Sequence, residues 1–177
     1  MVTIFVIQLE KRPEVVERIA GAARRRGFEI QSLSLGPTDM PGVLRMTLVV
    51  DAAERDSARL ETNLRKLPNI LRVDNLASKR SLFRDLAIIK IAATPEERME
   101  IMHLAKVFRA RVIDISRRSI VIESTGSVEK IDTLVEMLEG YGIADIARTG
   151  LVAMTRGLKG EPRETKRAGL TEPQTCA

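Results

Sequence analysis

The chain has 177 residues, of which 44% are hydrophobic and 30% are charged, and its 29 Lys and Arg against 24 Asp and Glu give a formal net charge of +5. This composition predicts a globular protein with one ordinary domain or two small ones, and it excludes a wholly disordered chain. A single His and a single Cys leave too few side chains for a His- or Cys-based metal site or a His-dependent nucleophilic triad.

The first half of the chain predicts the order β-α-β-β-α-β. Pro13 suits the first turn of a helix whose apolar residues recur at three- and four-residue steps, and Gly27 follows the end of that helix. Pro68 ends the second helix. The predicted elements are strands at residues 3–9, 28–35, 44–50 and 70–76, and helices at residues 13–26 and around Leu60, Leu64 and Leu67.

The second half predicts the same order. A capping box with Thr94, Pro95 and Glu97 opens one helix, and Ser127 caps another that ends near Gly140. The remaining apolar runs alternate or are β-rich, which is typical of strands. The predicted elements are strands at residues 86–92, 112–115, 120–123 and 143–148, and helices at residues 94–108 and from Ser127 onward.

This repeated order predicts an α+β protein made of two ferredoxin-like βαββαβ domains in tandem, each an antiparallel sheet with helices on one face. The predicted domains are residues 1–78 and 84–157, with residues 79–84 connecting them and residues 158–177 forming a flexible tail. Domains of this size bury little apolar surface and leave sheet edges open, so we expect the chain to pair with a second copy.

The sequence indicates a cytoplasmic protein. Its longest apolar clusters, residues 4–7 and 86–89, have four residues, whereas a membrane span needs roughly 20. The N-terminus has no basic stretch, and Gln8 interrupts its apolar run, so no secretory signal is expected. A lone Cys176 fits a reducing compartment.

A pI of about 9.7 raises the question of nucleic-acid binding. Basic clusters occur at residues 24–26, at Lys79 and Arg80, and at Arg117 and Arg118. Aromatic residues, however, are 3% of the chain, too few for a base-stacking surface. We therefore interpret the basic clusters as solvated faces and do not expect nucleic acid as a partner. The single His103 falls in a Met-rich helical segment, where we expect a partly buried structural side chain.

Several segments in register resemble one known family. They are residues 26–33 (RGFEIQSL), 36–39 (GPTD), 45–47 (RMT), 67–73 (LPNILRV), 108–115 (FRARVIDI) and 147–157 (ARTGLVAMTRG). In order and spacing, over about residues 2–157, they resemble the small regulatory subunit of acetohydroxyacid synthase, also called acetolactate synthase.

The resemblance implies an N-terminal ACT domain, a second domain of related fold, a homodimer, and association with a large catalytic subunit of branched-chain amino-acid synthesis. This chain would activate that subunit and would not itself be an enzyme, since we predict no catalytic residue and no metal ligand in it. Thiamine diphosphate, Mg²⁺ and FAD would belong to the catalytic partner.

In that family, a feedback amino acid such as valine binds between two ACT domains, and its carboxylate lies at the loop after the first strand and the start of the first helix. Free backbone N–H groups and the positive helix end would favour an anion there. The corresponding residues here are Lys11, Arg12, Pro13, Glu14 and Val15, with Glu29 and Ile30 on the facing strand.

Three of these positions depart from the family pattern. Lys11 and Glu29 stand where the family usually has Asn, and Glu14 stands where it has Gly. The Glu14 carboxylate would repel the carboxylate of an effector, and Lys11 could pair with Glu29 across the vacated pocket. This leads to the hypothesis that the valine response is weak or lost. In the alternative, a different amino acid uses Lys11 for its carboxylate and Glu29 for its amino group.

Two other functions remain open from the sequence. The chain could be a stand-alone amino-acid-sensing ACT protein or an RNA-binding ferredoxin-like module. Salt-dependent RNA binding would favour the RNA-binding module. Co-purification with a large thiamine enzyme would favour the regulatory subunit.

Overall fold

A computed structural model describes residues 2–51 and 53–157 of the chain. The predicted tail at residues 158–177, including Cys176, lies outside the described residues. The first half contains β1 (Val2–Glu10), α1 (Pro13–Arg24), β2 (Glu29–Pro37), β3 (Val43–Asp51), α2 (Glu54–Arg65) and β4 (Ile70–Asn75). The second half contains β5 (Ser81–Ala92), α3 (Arg98–Val107), β6 (Arg111–Ile115), β7 (Ser119–Gly126), α4 (Val128–Glu139), β8 (Ile143–Arg148) and β9 (Val152–Thr155).

The two halves have the same topology. The first sheet has the order β2-β3-β1-β4, and the second has the order β6-β7-β5-β8 with β9 paired to β5. All of these strand pairs are antiparallel. Strands β5, β6, β7 and β8 of the second half correspond to β1, β2, β3 and β4 of the first, so the two sheets have the same strand order. The predicted α+β fold of two ferredoxin-like units is confirmed.

The core of the first half lies between its sheet and its two helices. Alternate residues of β1 point toward the helices, which is the period of two expected for a strand with one covered face. The buried residues of this core are Phe5, Ile7, Leu9, Val15, Ile19, Met46, Leu48, Val50, Leu60, Leu64 and Val73.

The core of the second half is built in the same way, from one face of its sheet and the inner faces of α3 and α4. Ser127 accepts a hydrogen bond from the backbone of Lys130, as the predicted helix cap requires. The buried residues are Ala87, Ile89, Ile91, Ala93, Ile101, Ala105, Ile120, Ile122, Ile131, Leu134 and Leu138.

A short two-stranded ribbon links the halves, and the sequence analysis missed it. Residues 81–84, which we predicted as a connection, are the first residues of β5, and they pair with β9. The ribbon lies on the face of the first sheet that the helices leave open. There Ala153 of β9 is buried together with Val6 and Leu76 of the first half, and Phe83 packs against them.

Polar contacts hold the ribbon on the first sheet. The Arg45 side chain donates a hydrogen bond from Nη2 to the Ala153 carbonyl over 2.8 Å, and the Ala153 amide donates to Thr47 Oγ1 over 3.4 Å. Both backbone groups of Ala153 are therefore bound to side chains of β3. Burial lowers the pKa of Arg45, although the nearby Asp74 carboxylate opposes this shift.

Two local expectations need correction. Thr94 and Glu97 do exchange the hydrogen bonds of a capping box, at 2.9 and 3.4 Å, but α3 begins only at Arg98, so the box closes the turn before the helix. His103 is exposed rather than partly buried, because Ile101 and Ala105 occupy the buried face of α3. None of the helices among the described residues is long and apolar enough to span a membrane.

Gly150 allows one close contact of the ribbon segment with the first sheet. Its φ is +72°, and a Cβ placed on it would lie 3.1 Å from Ser32 Cβ, whereas at Gly42 (φ +77°) a Cβ would meet nothing within 4 Å. We expect Gly42→Ala to lower the free energy of unfolding by roughly 1 kcal/mol through backbone strain alone. Gly150→Ala should lower it by about 2–3 kcal/mol, because the overlap with Ser32 is added. Urea unfolding measures both.

The double variant Gly150→Ala with Ser32→Gly tests the contact directly. We expect it to recover most of the difference between the two alanine variants, since it removes the atom that the new Cβ meets. Equal losses in Gly150→Ala and Gly42→Ala would contradict the contact.

Candidate functional site

The candidate site begins where β1 ends and α1 starts. Arg12 precedes the helix in extended conformation, with φ −135° and ψ 133°, and its side chain does not cap the helix. Pro13 occupies the first turn, as the sequence predicts. The side chains of Lys11 and Arg12 are exposed, Glu14 is half-buried, and Val15 is buried in the core.

The backbone donors of this segment are mostly used within the chain, contrary to the expectation of several free N–H groups. Pro13 has no N–H, and the Glu14 amide is the remaining donor. The engaged amides are Lys11, which donates to the Gly42 carbonyl (2.8 Å), Arg12, which donates to the Glu10 carbonyl (2.8 Å), and Val15, which donates to the Arg12 carbonyl (3.2 Å). In the segment 11–15, an anion would thus find one free backbone donor rather than a full set.

Glu10 organises the segment, and the sequence analysis did not identify it. Its Oε2 accepts hydrogen bonds from Asn69 Nδ2 at 2.7 Å and from Arg12 Nε at 3.2 Å. These bonds, that of Asn69 first, lower the pKa of Glu10. The Glu10 amide also donates to the Asn69 carbonyl over 2.9 Å. Glu10 and Asn69 therefore fasten the end of β1 to the start of β4 and hold Arg12 beside them.

Glu29 and Ile30 lie at the other end of the first sheet. On β3, Glu29 is opposite Asp51, whereas Glu10 is opposite Val43. Eight residues of a strand span about 26 Å. Lys11, which follows Glu10, is therefore far from Glu29 of the same chain.

One chain thus brings residues 11–15 together but not the two facing positions. Neither Lys11 nor Glu29 forms an ion pair among the residues that the structure describes. Their pairing across a pocket requires a second chain. The strand that carries Glu29, β2, is an edge strand of its sheet, so its outer side is open to such a chain.

A cavity of about 890 Å³ lies elsewhere, between the first sheet, the ribbon and the start of α4. Its one buried carboxylate, Asp85, is 3% exposed and accepts a hydrogen bond of 2.7 Å from Arg148 Nε. Arg148 also pairs with Asp132 at 2.7 Å. This carboxylate is fully engaged in structural contacts, which does not suit a general acid or base.

No group of three His, Cys, Asp or Glu side chains that could hold a metal ion occurs within residues 2–51 and 53–157. The chemistry available at the candidate site is recognition by backbone amides and exposed charges.

Comparison with known proteins gives a consistent result along the chain. Residues 84–157 match the family described as "Small subunit of acetolactate synthase", and residues 11–73 match the ACT domain family. The chain is 41% identical to the Archaeoglobus fulgidus protein named "Probable acetolactate synthase small subunit", over 89% of this chain and 98% of that one. It is 38% identical to the Bacillus subtilis acetolactate synthase small subunit, over 94% and 97%.

A solved structure agrees with these similarities. The crystal structure of the acetolactate synthase small subunit from Thermotoga maritima superposes with a TM-score of 0.82 at 30% identity, over 90% of this chain and 99% of that one.

Proposed function

Because the chain belongs to the family of acetolactate synthase small subunits, we propose that it binds and activates a separate large subunit that catalyses acetolactate synthesis for valine, leucine and isoleucine. The observation that carries this proposal is the match over both domains and nearly the full length of its relatives. A stand-alone ACT sensor and an RNA-binding module are not favoured, since neither accounts for the match of the second domain.

Activation by this subunit is a coupling free energy. If this subunit binds the active state of the catalytic subunit more tightly than the inactive state, its binding shifts the catalytic subunit toward the active state. The small subunit needs no reacting group of its own for this role. Thiamine diphosphate, Mg²⁺ and FAD belong to the catalytic partner in this proposal, and the complex works in the cytoplasm.

The experiment is an assay of acetolactate formation from pyruvate by the cognate large subunit, with increasing amounts of this chain. We expect a several-fold rise in kcat that saturates when the two subunits are equimolar, because the effect depends on a stoichiometric complex. The chain alone should form no acetolactate. Conversion of pyruvate by the chain alone, or an unchanged rate with both subunits present, would contradict the proposal.

We also propose a homodimer through the open edge of β2. If two β2 strands pair antiparallel about a two-fold axis at Leu33, the middle of the strand, Glu29 of one copy comes next to Pro37 of the other. Pro37 is opposite Leu44 on β3, and Leu44 is opposite Leu9 on β1. The pairing therefore places Glu29 and Ile30 of one copy about 14 Å, three strand spacings, from the end of β1 that leads into the segment at Lys11 of the other.

A matched pair of variants tests this edge. Leu35 of β2 is 41% exposed, and Leu71 of β4, at the opposite edge, is 51% exposed. We expect Leu35→Lys to shift the protein toward monomer, since it places like charges at a two-fold contact. Leu71→Lys should leave the dimer intact. Light scattering with size-exclusion chromatography measures the mass, and the reverse result would assign the interface to β4.

For the effector, we propose a site shared between two copies, formed by Lys11, Arg12, Pro13, Glu14 and Val15 of one and by Glu29 and Ile30 of the other. The Glu14 carboxylate stands near the single remaining amide and repels an incoming carboxylate. Lys11 and Glu29 can neutralise each other across the contact. We therefore propose that the subunit activates its partner with little or no inhibition by valine.

Calorimetric titration with valine tests this site. The triple variant Lys11→Asn, Glu14→Gly and Glu29→Asn should bind valine at least tenfold more tightly than the unmodified dimer, since it removes the repelling carboxylate and frees two polar positions. The double variant Lys106→Asn and Glu136→Asn changes exposed charges of the second domain and should have no effect. Tight valine binding by the unmodified dimer would refute the proposal.

A further inference from the structure

Five arginines form a continuous basic area on the helix side of the first domain, which we call the arginine surface: Arg18, Arg24, Arg25, Arg26 and Arg59. One surface cleft, of about 530 Å³, is lined by Arg25, Arg26 and Arg59, together with Phe28 and Asp56. A second cleft, of about 590 Å³, is lined by Arg18, Arg24 and Arg25, together with Glu14 and Glu17. Arg25 lines both clefts and so connects them.

The arginine surface keeps a net positive charge, since its two clefts are lined by five arginines and three carboxylates. Arg59 is paired with Asp56 at 3.7 Å and its side chain is still 73% exposed. The other four arginines are exposed and form no ion pair among the described residues. The negative end of the helix dipole favours Arg24 in the last turn of α1, but it does not reach Arg18. The helix dipole therefore accounts for a positive charge at Arg24 but not for the one at Arg18.

A glycine inside α1 gives a second observation at the same place. Gly21 lies three residues after Arg18 and four before Arg25, so all three share one face of the helix. Glycine in a helix interior costs about 1 kcal/mol relative to alanine. Here no packing requires it, since the only atoms within 4 Å of a Cβ at Gly21 belong to the Arg25 side chain, with Nη1 at 3.1 Å. Because Gly21 has no side chain, the Arg25 guanidinium lies over the helix surface at this position.

We infer that the arginine surface is a docking site for an acidic surface of the catalytic partner, an inference that rests on the proposed function. In the first domain the ribbon covers the other face of the sheet and the proposed dimer uses the β2 edge, which leaves the β4 edge and the helix side. Of these two, the helix side carries the arginine surface. A protein fits better than nucleic acid, because Phe28 is the one aromatic residue that lines these clefts and cannot stack a series of bases. Exposed arginines also steer an acidic partner and accelerate association.

The test measures the affinity of the full-length subunit for its large subunit at low and at high ionic strength. Arg18→Glu with Arg25→Glu should weaken binding at least tenfold at low salt, and the deficit should shrink as salt screens the charges. Arg117→Glu with Arg118→Glu introduces the same charge change at exposed positions of the second domain and should change affinity less than twofold. Arg18→Lys with Arg25→Lys keeps the charge and should retain binding to within about threefold.

The outcomes separate this inference from the proposed function. If the unmodified subunit does not bind the large subunit, the proposed function fails. If it binds and both glutamate variants weaken binding equally, or neither does, the arginine surface is not the docking site. If the Arg18 and Arg25 variant instead loses a salt-dependent affinity for RNA while its affinity for the large subunit is unchanged, the partner class is wrong. Circular dichroism confirms that each variant is folded.

Discussion

A ferredoxin-like unit covers one face of its sheet with helices; where the other face is apolar, as at Val6 of the first sheet, that face needs cover of its own, and this requirement relates the two halves of the chain. In the first domain, the ribbon of β5 and β9 meets it. Ala153 is buried against Val6, and both of its backbone groups are bound by Arg45 and Thr47. The apolar contact supplies the burial, and the two hydrogen bonds fix where the ribbon lies. The second domain therefore completes the first domain rather than merely following it in sequence.

The repeated topology could be predicted because its signals are local. Pro13 and Ser127 mark helix starts, and the apolar periodicity of each element depends only on neighbouring residues. The ribbon could not be predicted in this way. Its second strand has only four residues, too few for alternation to be distinctive, and its partner lies about 70 residues earlier in the chain. Contacts that join distant segments are visible only once the two sheets are built.

The candidate site was found through resemblance, and the structure shows why periodicity alone does not reveal it. Lys11 and Glu29 belong to opposite ends of one sheet, so no spacing within the chain relates them. The bond between Glu10 and Asn69 was missed for a related reason. It depends on a left-handed backbone at Asn69, with φ 67°, and joins residues 59 positions apart. The segment before α1 is consequently held more firmly, and has fewer free amides, than its sequence suggests.

The continuity of β5 has a mechanical consequence. Its twelve residues pair first with β9 and then with β7 and β8, so the strand passes from the ribbon into the second sheet without an intervening loop. There is therefore no flexible hinge between the ribbon and the second sheet. While the ribbon stays bound to the first sheet, reorientation of the second sheet requires coiling of a hydrogen-bonded strand, a stiff deformation that spreads over many residues and carries a displacement at one sheet into the other.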